Sequence, residues 1–278
     1  MSYVFNGSPA VDATTGAILT AAGTPDFLSS AAAGLITGAT VAFAIGHVSG
    51  LAMATAPVDI CEQGIIFPFL SDASNLSLVS ASANDTISGT GAQVILIQGL
   101  DSDWNILEET VQLNGTTSVS TVNAFLRVNL IAVLQAGSNG TNAGDITITA
   151  SDSSIQGIIR AGIGDNQQAV YSIPNNYVGI LIAAQYSIAG QITTSFGQVA
   201  LTANVFGQSA RVVGVRSDLL SGFPYNEAVL IGYPNPPMTD VTARVLSVGQ
   251  DNSEISGGFT ILLLNLDYFP AAASLVGR

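Results

Sequence analysis

The chain has 278 residues, of which 48% are hydrophobic and only 9% are charged. Its formal net charge at pH 7 is -13, and because it contains no lysine, its six basic residues are all arginines. This charge repels a phosphate backbone and an anionic membrane surface, so we expect neither nucleic acid nor membrane among the partners. An ordinary soluble domain has about 25% charged residues. A surface so poor in charge is typical of a subunit whose faces are covered by other subunits, which predicts assembly.

The first 57 residues are rich in alanine and glycine and poor in large side chains. Residues 31–56 form an uncharged run that is long enough to cross a bilayer. The run nevertheless contains several glycines and His47, and it lacks flanking Lys or Arg. We therefore favour an N-terminal arm, or a pair of added and buried strands, over a membrane helix. The opening residues also lack a basic region before an apolar stretch, so we expect no secretory signal.

From residue 63 onward the chain consists of short β-type runs separated by turn residues, a texture typical of sandwiches and barrels. Residues 145–150 alternate apolar and polar side chains, which predicts a strand with one buried face. Other runs are apolar on both faces and predict central strands. These are 94–97, 130–134, 178–182 and 261–264. Turn sequences separate them at 114–115, 138–140, 174–176, 234–237 and 251–253.

These patterns predict an all-β protein with roughly a dozen strands or more across residues 64–265, for a mean strand of about 5 to 6 residues. The fold class that we expect is one or two antiparallel β-sandwich or jelly-roll domains preceded by the Ala/Gly-rich N-terminal arm. Serines and glycines loosen the pattern near residues 151–168, and we place a domain boundary there. The predicted division is an arm or added strands at 1–57, a first β-sandwich domain at 58–155 and a second at 156–278.

Few residues are present that could carry catalysis or hold a metal. Cys61 is the only cysteine, which excludes an intramolecular disulfide and a multi-cysteine zinc site. His47 is the only histidine, so a Ser-His-Asp or Cys-His arrangement would have to include it, and residues 46–50 lack the spacing of a nucleophile elbow. We therefore predict a buried, inert Cys61 and a structural His47. The protein is not expected to be an enzyme, and no catalytic, cofactor-binding or metal-binding residues are assigned.

Carboxylates remain as candidates for acid-base chemistry or calcium binding. Glu108 and Glu109 are adjacent, so on a strand they point to opposite faces and cannot act as a pair. Residues 101–105 begin like an EF-hand loop, but no glycine follows at the sixth position and the next acids come too early to close it. The segment therefore predicts a hairpin loop. Trp104 in this loop is expected to pack locally, with stacking on a sugar or a partner as the alternative.

Several strings in the chain resemble virion structural proteins of tailed bacteriophages. In the first half they are ISGTGA at 87–92, GLD at 99–101, ETV at 109–111, LNGTT at 113–117, FLRV at 125–128, AG at 136–137 and GDI at 144–146. In the second half they are SIP at 172–174, Gly179, VALTA at 199–203, TDVTAR at 239–244 and GFTI at 258–261. The matching residues are mostly turn glycines, turn asparagines and core apolar groups, so the resemblance implies a fold and no catalytic residue. The first 57 residues have no counterpart in it.

The resemblance implies a β-sandwich or jelly-roll protein on a phage particle. The leading hypothesis is a capsid decoration or cement protein that is located in the virion and assembled in the host cytoplasm. Its expected partners are copies of itself, by analogy as a homotrimer, and the major capsid protein or another virion protein. One alternative is a coat-forming double jelly-roll capsid protein. The other is a glycan- or receptor-binding projection module, in which Trp104, Tyr225 and Tyr233 stack on sugars.

Overall fold

The computed structural model describes residues 26–53, 57–189, 196–213, 217–220 and 225–276. The described part of the chain is all-β and its paired strands are antiparallel, which confirms the predicted fold class. Its helices are α1 (Phe27–Ala32) and a C-terminal 3-10 helix (Pro270–Leu275). Its strands are β1 (Ala39–Leu51), β2 (Val58–Asp59), β3 (Ser74–Ser80), β4 (Ala92–Leu100), β5 (Ile106–Gln112), β6 (Val119–Phe125), β7 (Arg127–Ala136), β8 (Ile146–Thr149), β9 (Ile155–Ile159), β10 (Val170–Ser172), β11 (Tyr177–Ala189), β12 (Phe196–Val205), β13 (Arg211–Val212), β14 (Ser217–Leu220), β15 (Tyr225–Asn235), β16 (Thr239–Val248) and β17 (Ser253–Asn265).

Strands β3 to β9 form a first sandwich of two antiparallel sheets, with strand orders β6-β3-β8-β9 and β5-β4-β7. The facing sides of the two sheets share one apolar core. Fully buried members of this core include Leu76, Leu78, Ile95, Ile97, Phe125, Ile131, Ile146 and Ile148. The alternation predicted for residues 145–150 is confirmed, because the two isoleucines of β8 are buried and its two threonines are half-buried. Burial of these side chains is the main force that holds the sheets together.

A second sandwich combines β1 with the strands from β10 onward. One sheet has the order β1-β17-β11-β15; the other has the order β10-β16-β12-β13, with β14 paired to β12 and β2 paired to β16. Residues between the sheets form a separate core that includes Ala44, Val48, Leu181, Val199, Leu201, Val241, Ala243, Ile255 and Ile261. The outer face of the first of these sheets is partly covered by α1 and the 3-10 helix, through a small cluster that includes Ala31, Val178, Leu262, Leu264 and Ala272.

Three of the four runs that predicted central strands lie in central strands. These are 94–97 in β4, 178–182 in β11 and 261–264 in β17, and for them the prediction is confirmed. The prediction for 130–134 is wrong, because β7 lies at the edge of its sheet and Leu134 is 59% exposed. An irregular segment partly covers this edge: Val133 N–H donates to Gly164 O, and Asn166 N–H donates to Ile131 O. A loop can therefore bury apolar residues that sequence pattern assigns to a central strand.

The segment predicted as an arm or as added strands contains β1, which pairs with β17 over ten consecutive residues. The predicted boundary between 155 and 156 falls at the start of β9, a strand that pairs with β8. The division of the chain at 57 and 155 stays a prediction. No helix in the part of the chain that the structure describes is long and apolar enough to cross a membrane.

Candidate assembly surface

Strand β1 has an open edge. It is the outermost strand of its sheet and pairs only with β17 among the described strands. In an antiparallel pair, residues alternate between those that exchange backbone hydrogen bonds and those whose N–H and C=O point away from the partner. Because Asn265 N–H donates to Gly38 O, the register directs the backbone groups of Val41, Phe43 and Ile45 away from β17.

The side chains along this edge are apolar and exposed. Phe43 is 64% exposed and Ile45 is 50% exposed. No charged residue occurs anywhere in β1. Natural proteins usually protect an open sheet edge with charges, prolines, bulges or a covering loop. A long, uncharged and apolar edge is therefore a surface that favours pairing with another strand.

The other side of β1 is fixed to the second sandwich. Ala44 and Val48 are buried in the core. Gly46 lies so close to other backbone that an added Cβ would overlap Ile60 O and Ala169 N. Close backbone approach is one of the uses of glycine in a strand. β1 is thus held in place on its core face, while its edge is open at Val41, Phe43 and Ile45 and meets the connecting segment at His47, whose N–H donates to Gln167 O.

A cleft of about 570 Å³ lies beside this edge, between the two sandwiches. One wall is β1, and the other is formed by the first sandwich, where Ile106 is 61% exposed. The residues from the first sandwich are Gln98, Gly99, Leu100, Ile106, Asn129 and Leu130, and those from the connecting segment and second sandwich include Asp165, Asn166, Gln168, Tyr171 and Tyr177. Clefts of this size are in the range of binding sites in proteins.

Two buried side-chain amides line the cleft, and in each of them only one of the two polar atoms makes a hydrogen bond among the described residues. Asn166 is 7% exposed, and its Oδ1 accepts from Ile131 N–H at 2.7 Å. Gln168 is 4% exposed, and its Nε2 donates to Val128 O at 3.2 Å. Asn166 Nδ2 and Gln168 Oε1 have no hydrogen-bond partner within the described ranges. A buried polar atom without a partner costs free energy, and both of these atoms are shielded from solvent.

A buried ion pair joins the two sandwiches. Arg127 in β7 donates from Nε to Asp240 Oδ1 at 2.8 Å and from Nη2 to Asp240 Oδ2 at 3.0 Å. Ser172 Oγ also donates to Asp240 Oδ1. Burial raises the pKa of Asp240, and the guanidinium of Arg127 opposes that shift. The bidentate geometry fixes the direction of approach between β7 and β16.

A second polar network connects β1 with the first sandwich. His47 Nδ1 lies 2.8 Å from Glu62 Oε1, and Arg160 Nε donates to Glu62 Oε2 at 2.7 Å. Arg160 also donates to Asp145 at 2.8 Å. Hydrogen bonds from the Ala161 N–H and from Arg160 lower the pKa of Asp145. His47 therefore holds a structural contact, as predicted.

Trp104 packs locally, and the sugar-stacking alternative is wrong for this residue. Its side chain is 1% exposed, and its ring lies 5.5 Å from that of Phe206 and 4.6 Å from the guanidinium of Arg127. Its backbone has a φ of 63°. Tyr225 and Tyr233 lie on β15, but their side chains fall outside the described part of the structure.

The carboxylates singled out in the sequence have separate structural partners. Glu108 accepts from Gln98 on β4, while Glu109 accepts from the backbone N–H groups of Val122 and Asn123 on β6. The segment 101–105 is a hairpin loop closed by Asp101, which confirms that prediction. Among the described residues, no group of three or more His, Cys, Asp or Glu is arranged to hold a metal ion. The absence of catalytic, cofactor and metal sites stays a prediction.

Cys61 is fully buried, as predicted. Its Sγ lies 3.7 Å from Ile65 O. Burial raises the pKa of its thiol to about 11. The reactive thiolate is therefore scarce at neutral pH.

The sequence patterns did not predict the open edge of β1, although the sequence of this strand contains a pattern that is compatible with it. In β1 the larger side chains Val41, Phe43 and Ile45 alternate with Ala42, Ala44 and Gly46. Large apolar groups on alternate positions of an uncharged strand are compatible with an apolar edge, but alanine and glycine between them obscure the period. The amides at 166 and 168 carry no such signal, because their environment depends on contacts with β7.

No protein-family model and no curated protein matches the chain. Among solved structures, it is similar to that of infectious bursal disease virus, Gt strain, with a TM-score of 0.25, 10% identity and coverage of 84% of this chain and 74% of that chain. A VP2 subviral particle of the same virus gives a TM-score of 0.26 at 10% identity, with the same coverage. The T13 particle of that virus gives 0.26 at 10% identity, covering 84% and 71% of the two chains. TM-scores of this size do not establish a shared fold or function.

Proposed function

We propose that the protein is a structural subunit of a virus particle, namely a capsid decoration or cement protein of a tailed phage. The observation that carries this proposal is the open, apolar edge of β1 on a chain with only 9% charged residues. Such a surface gains free energy by burying apolar area and pairing backbone groups between subunits. The protein would act through contacts and not through catalysis.

The proposed partners are copies of the same chain, arranged as a trimer, and the major capsid protein or another virion protein. The proposed location is the virion, assembled in the host cytoplasm. With a net charge of -13, the protein is not expected to contact packaged nucleic acid. The assignment to a phage follows from the sequence resemblance at residues 87–150 and 172–261.

A coat subunit that builds the shell itself is a second candidate. The observation that favours it is the presence of two β-sandwiches side by side in one chain. A glycan-binding projection has less support, because Trp104 is buried and unavailable for stacking.

Electron microscopy of the purified full-length protein tests these roles. A decoration protein is expected to remain a small, discrete oligomer, whereas a coat protein closes into shells. Binding to a glycan array by an otherwise monomeric protein would instead support the projection module. A monomer that neither assembles nor binds glycans would contradict the proposal.

A further inference from the structure

We infer that the cleft beside β1 receives one extended strand, contributed by residues 16–22 of a second copy of the chain. The inference rests on the proposed function and names the contact through which subunits assemble. It is carried by the shape of the cleft, by its open polar groups, and by the position at which the N-terminal segment leaves the described chain.

The shape of the cleft suits one strand. Neighbouring strands lie about 4.7–4.9 Å apart in a sheet. The wall opposite β1 belongs to the first sandwich of the same molecule, with Ile106 and Leu130 on it. Because this wall faces the open edge, we expect it to favour a single strand over a complete sheet from another copy. Edge-to-edge pairing of two β1 strands is therefore disfavoured.

The open groups in the cleft suit an extended backbone. The N–H and C=O groups of Val41, Phe43 and Ile45 point away from β17 and can pair with an added strand. An added strand supplies carbonyl and N–H groups for these backbone groups. This mode of recognition is the addition of a strand to an exposed sheet edge.

Residues 16–22, Gly-Ala-Ile-Leu-Thr-Ala-Ala, have the chemistry that this site accepts. They carry no charge, and Asp12 is the only charged residue among residues 1–25. A charged strand would have to bury its charge against Phe43 and Ile106 at a large cost. Small side chains with two larger apolar groups at Ile18 and Leu19 suit the apolar part of the lining at Phe43, Ile45 and Ile106.

The N-terminal segment also leaves the described chain close to the cleft. Helix α1 follows directly at Phe27, with Asp26 as its N-cap. Phe27 packs in the same small cluster as Ala39 and Val41, at the start of β1. The described chain thus starts near the end of β1 at which the open edge begins.

The short connection favours exchange between copies over folding back. Only Gly23, Thr24 and Pro25 separate residues 16–22 from the N-cap of α1. Short hinge segments promote exchange of an element between identical subunits, and proline restricts the backbone further. Passing the strand from each copy to the next makes a head-to-tail contact, which forms a ring when the rotation between copies closes.

Disulfide trapping in the full-length chain tests the inference. One cysteine replaces Phe43 or Ile45, and a second replaces Ala17, Leu19 or Ala21; Cys61 can stay because its thiol is buried. The expected result is a covalent bond between chains for at least one pair, absent from the single-cysteine controls. A bond within one chain, or no bond in any pair, would overturn the inference.

Charge substitutions provide an independent readout. Ile18→Asp with Leu19→Asp is expected to convert the oligomer to monomer, while Val11→Asp, in the same segment but outside 16–22, leaves the mass unchanged. Lengthening the connection with Gly-Ser residues after Thr24 is expected to shift the trapped bond from between chains to within one chain. If the oligomer survives the double substitution, the inference fails while the proposed function stands. If the unmodified chain is a monomer, the result contradicts the proposed function, and the inference that rests on it fails as well.

Discussion

Arg127 connects more structural features than any other basic residue described above. It pairs with Asp240, donates to the carbonyls of Leu70 and Leu126, and lies against the rings of Phe69 and Trp104. Its role is to compensate a buried carboxylate at the joint between the sandwiches. Removal of one partner of a buried pair is costly, because the other charge stays buried alone.

We therefore predict that Arg127→Met lowers the free energy of unfolding by about 3–5 kcal/mol, measured by urea denaturation. The loss should shrink as the pH falls, because a protonated Asp240 no longer needs a cation, and burial already raises its pKa. Arg211→Met is the control, since the Arg211 side chain is exposed and donates to Gln208 Oε1. Equal stability of the two variants would show that the joint does not depend on the pair.

Cys61 gives a prediction about reactivity. Because the thiol is buried and its pKa is raised to about 11, we expect a thiol reagent to label the native protein slowly at mildly alkaline pH. Labelling should become fast in denaturant. Rapid labelling of the native protein would mean that the segment around β2 opens readily.

At the scale of single elements, β1 depends on a glycine. Gly46→Ala places a Cβ against Ile60 O and Ala169 N, so the strand or its neighbour has to shift. We predict a loss of about 1–3 kcal/mol in the free energy of unfolding, the usual cost of overpacking. Ser49→Ala, at an exposed position of the same strand, is the control. An unchanged thermal midpoint for the glycine variant would contradict this account of how β1 is held.

Sequence pattern predicted elements whose environment is local. The Ile-Thr alternation of β8 and the turn at Asn114–Gly115, where Gly115 has a φ of 60°, depend on near neighbours in the chain. The partial cover of the β7 edge comes from a loop that is distant in sequence. The pairing of β1 with β17 joins residues more than two hundred positions apart. Patterns of period two do not contain such information.

The same limit applies to the candidate surface. The low fraction of charged residues predicted that other subunits cover part of the surface, but it did not indicate which part. The open edge follows from the register of β1, and the cleft lies between two sandwiches whose joint is made by Arg127 and Asp240, 113 residues apart. Trp104 was placed correctly as a residue that packs within its own chain, although its ring partner Phe206 lies in the second sandwich.

At the scale of the whole molecule, two sandwiches share a polar joint and leave between them a cleft with both polar and apolar lining. The edge of β1 provides backbone groups on one wall of this cleft. Open backbone groups beside exposed apolar side chains favour stable contacts between subunits. These features agree with a protein whose role is to hold an assembly together.

The mass of the full-length protein in solution, measured by light scattering, tests the claim of assembly most directly. We predict a discrete oligomer, with the trimer as the expected state, which dissociates when Ile45→Asp places a charge on the open edge of β1. Val122→Asp is the matched control, because Val122 is 87% exposed on β6 and does not line the cleft. A monomeric parent protein, or an oligomer that both substitutions leave intact, would contradict the account.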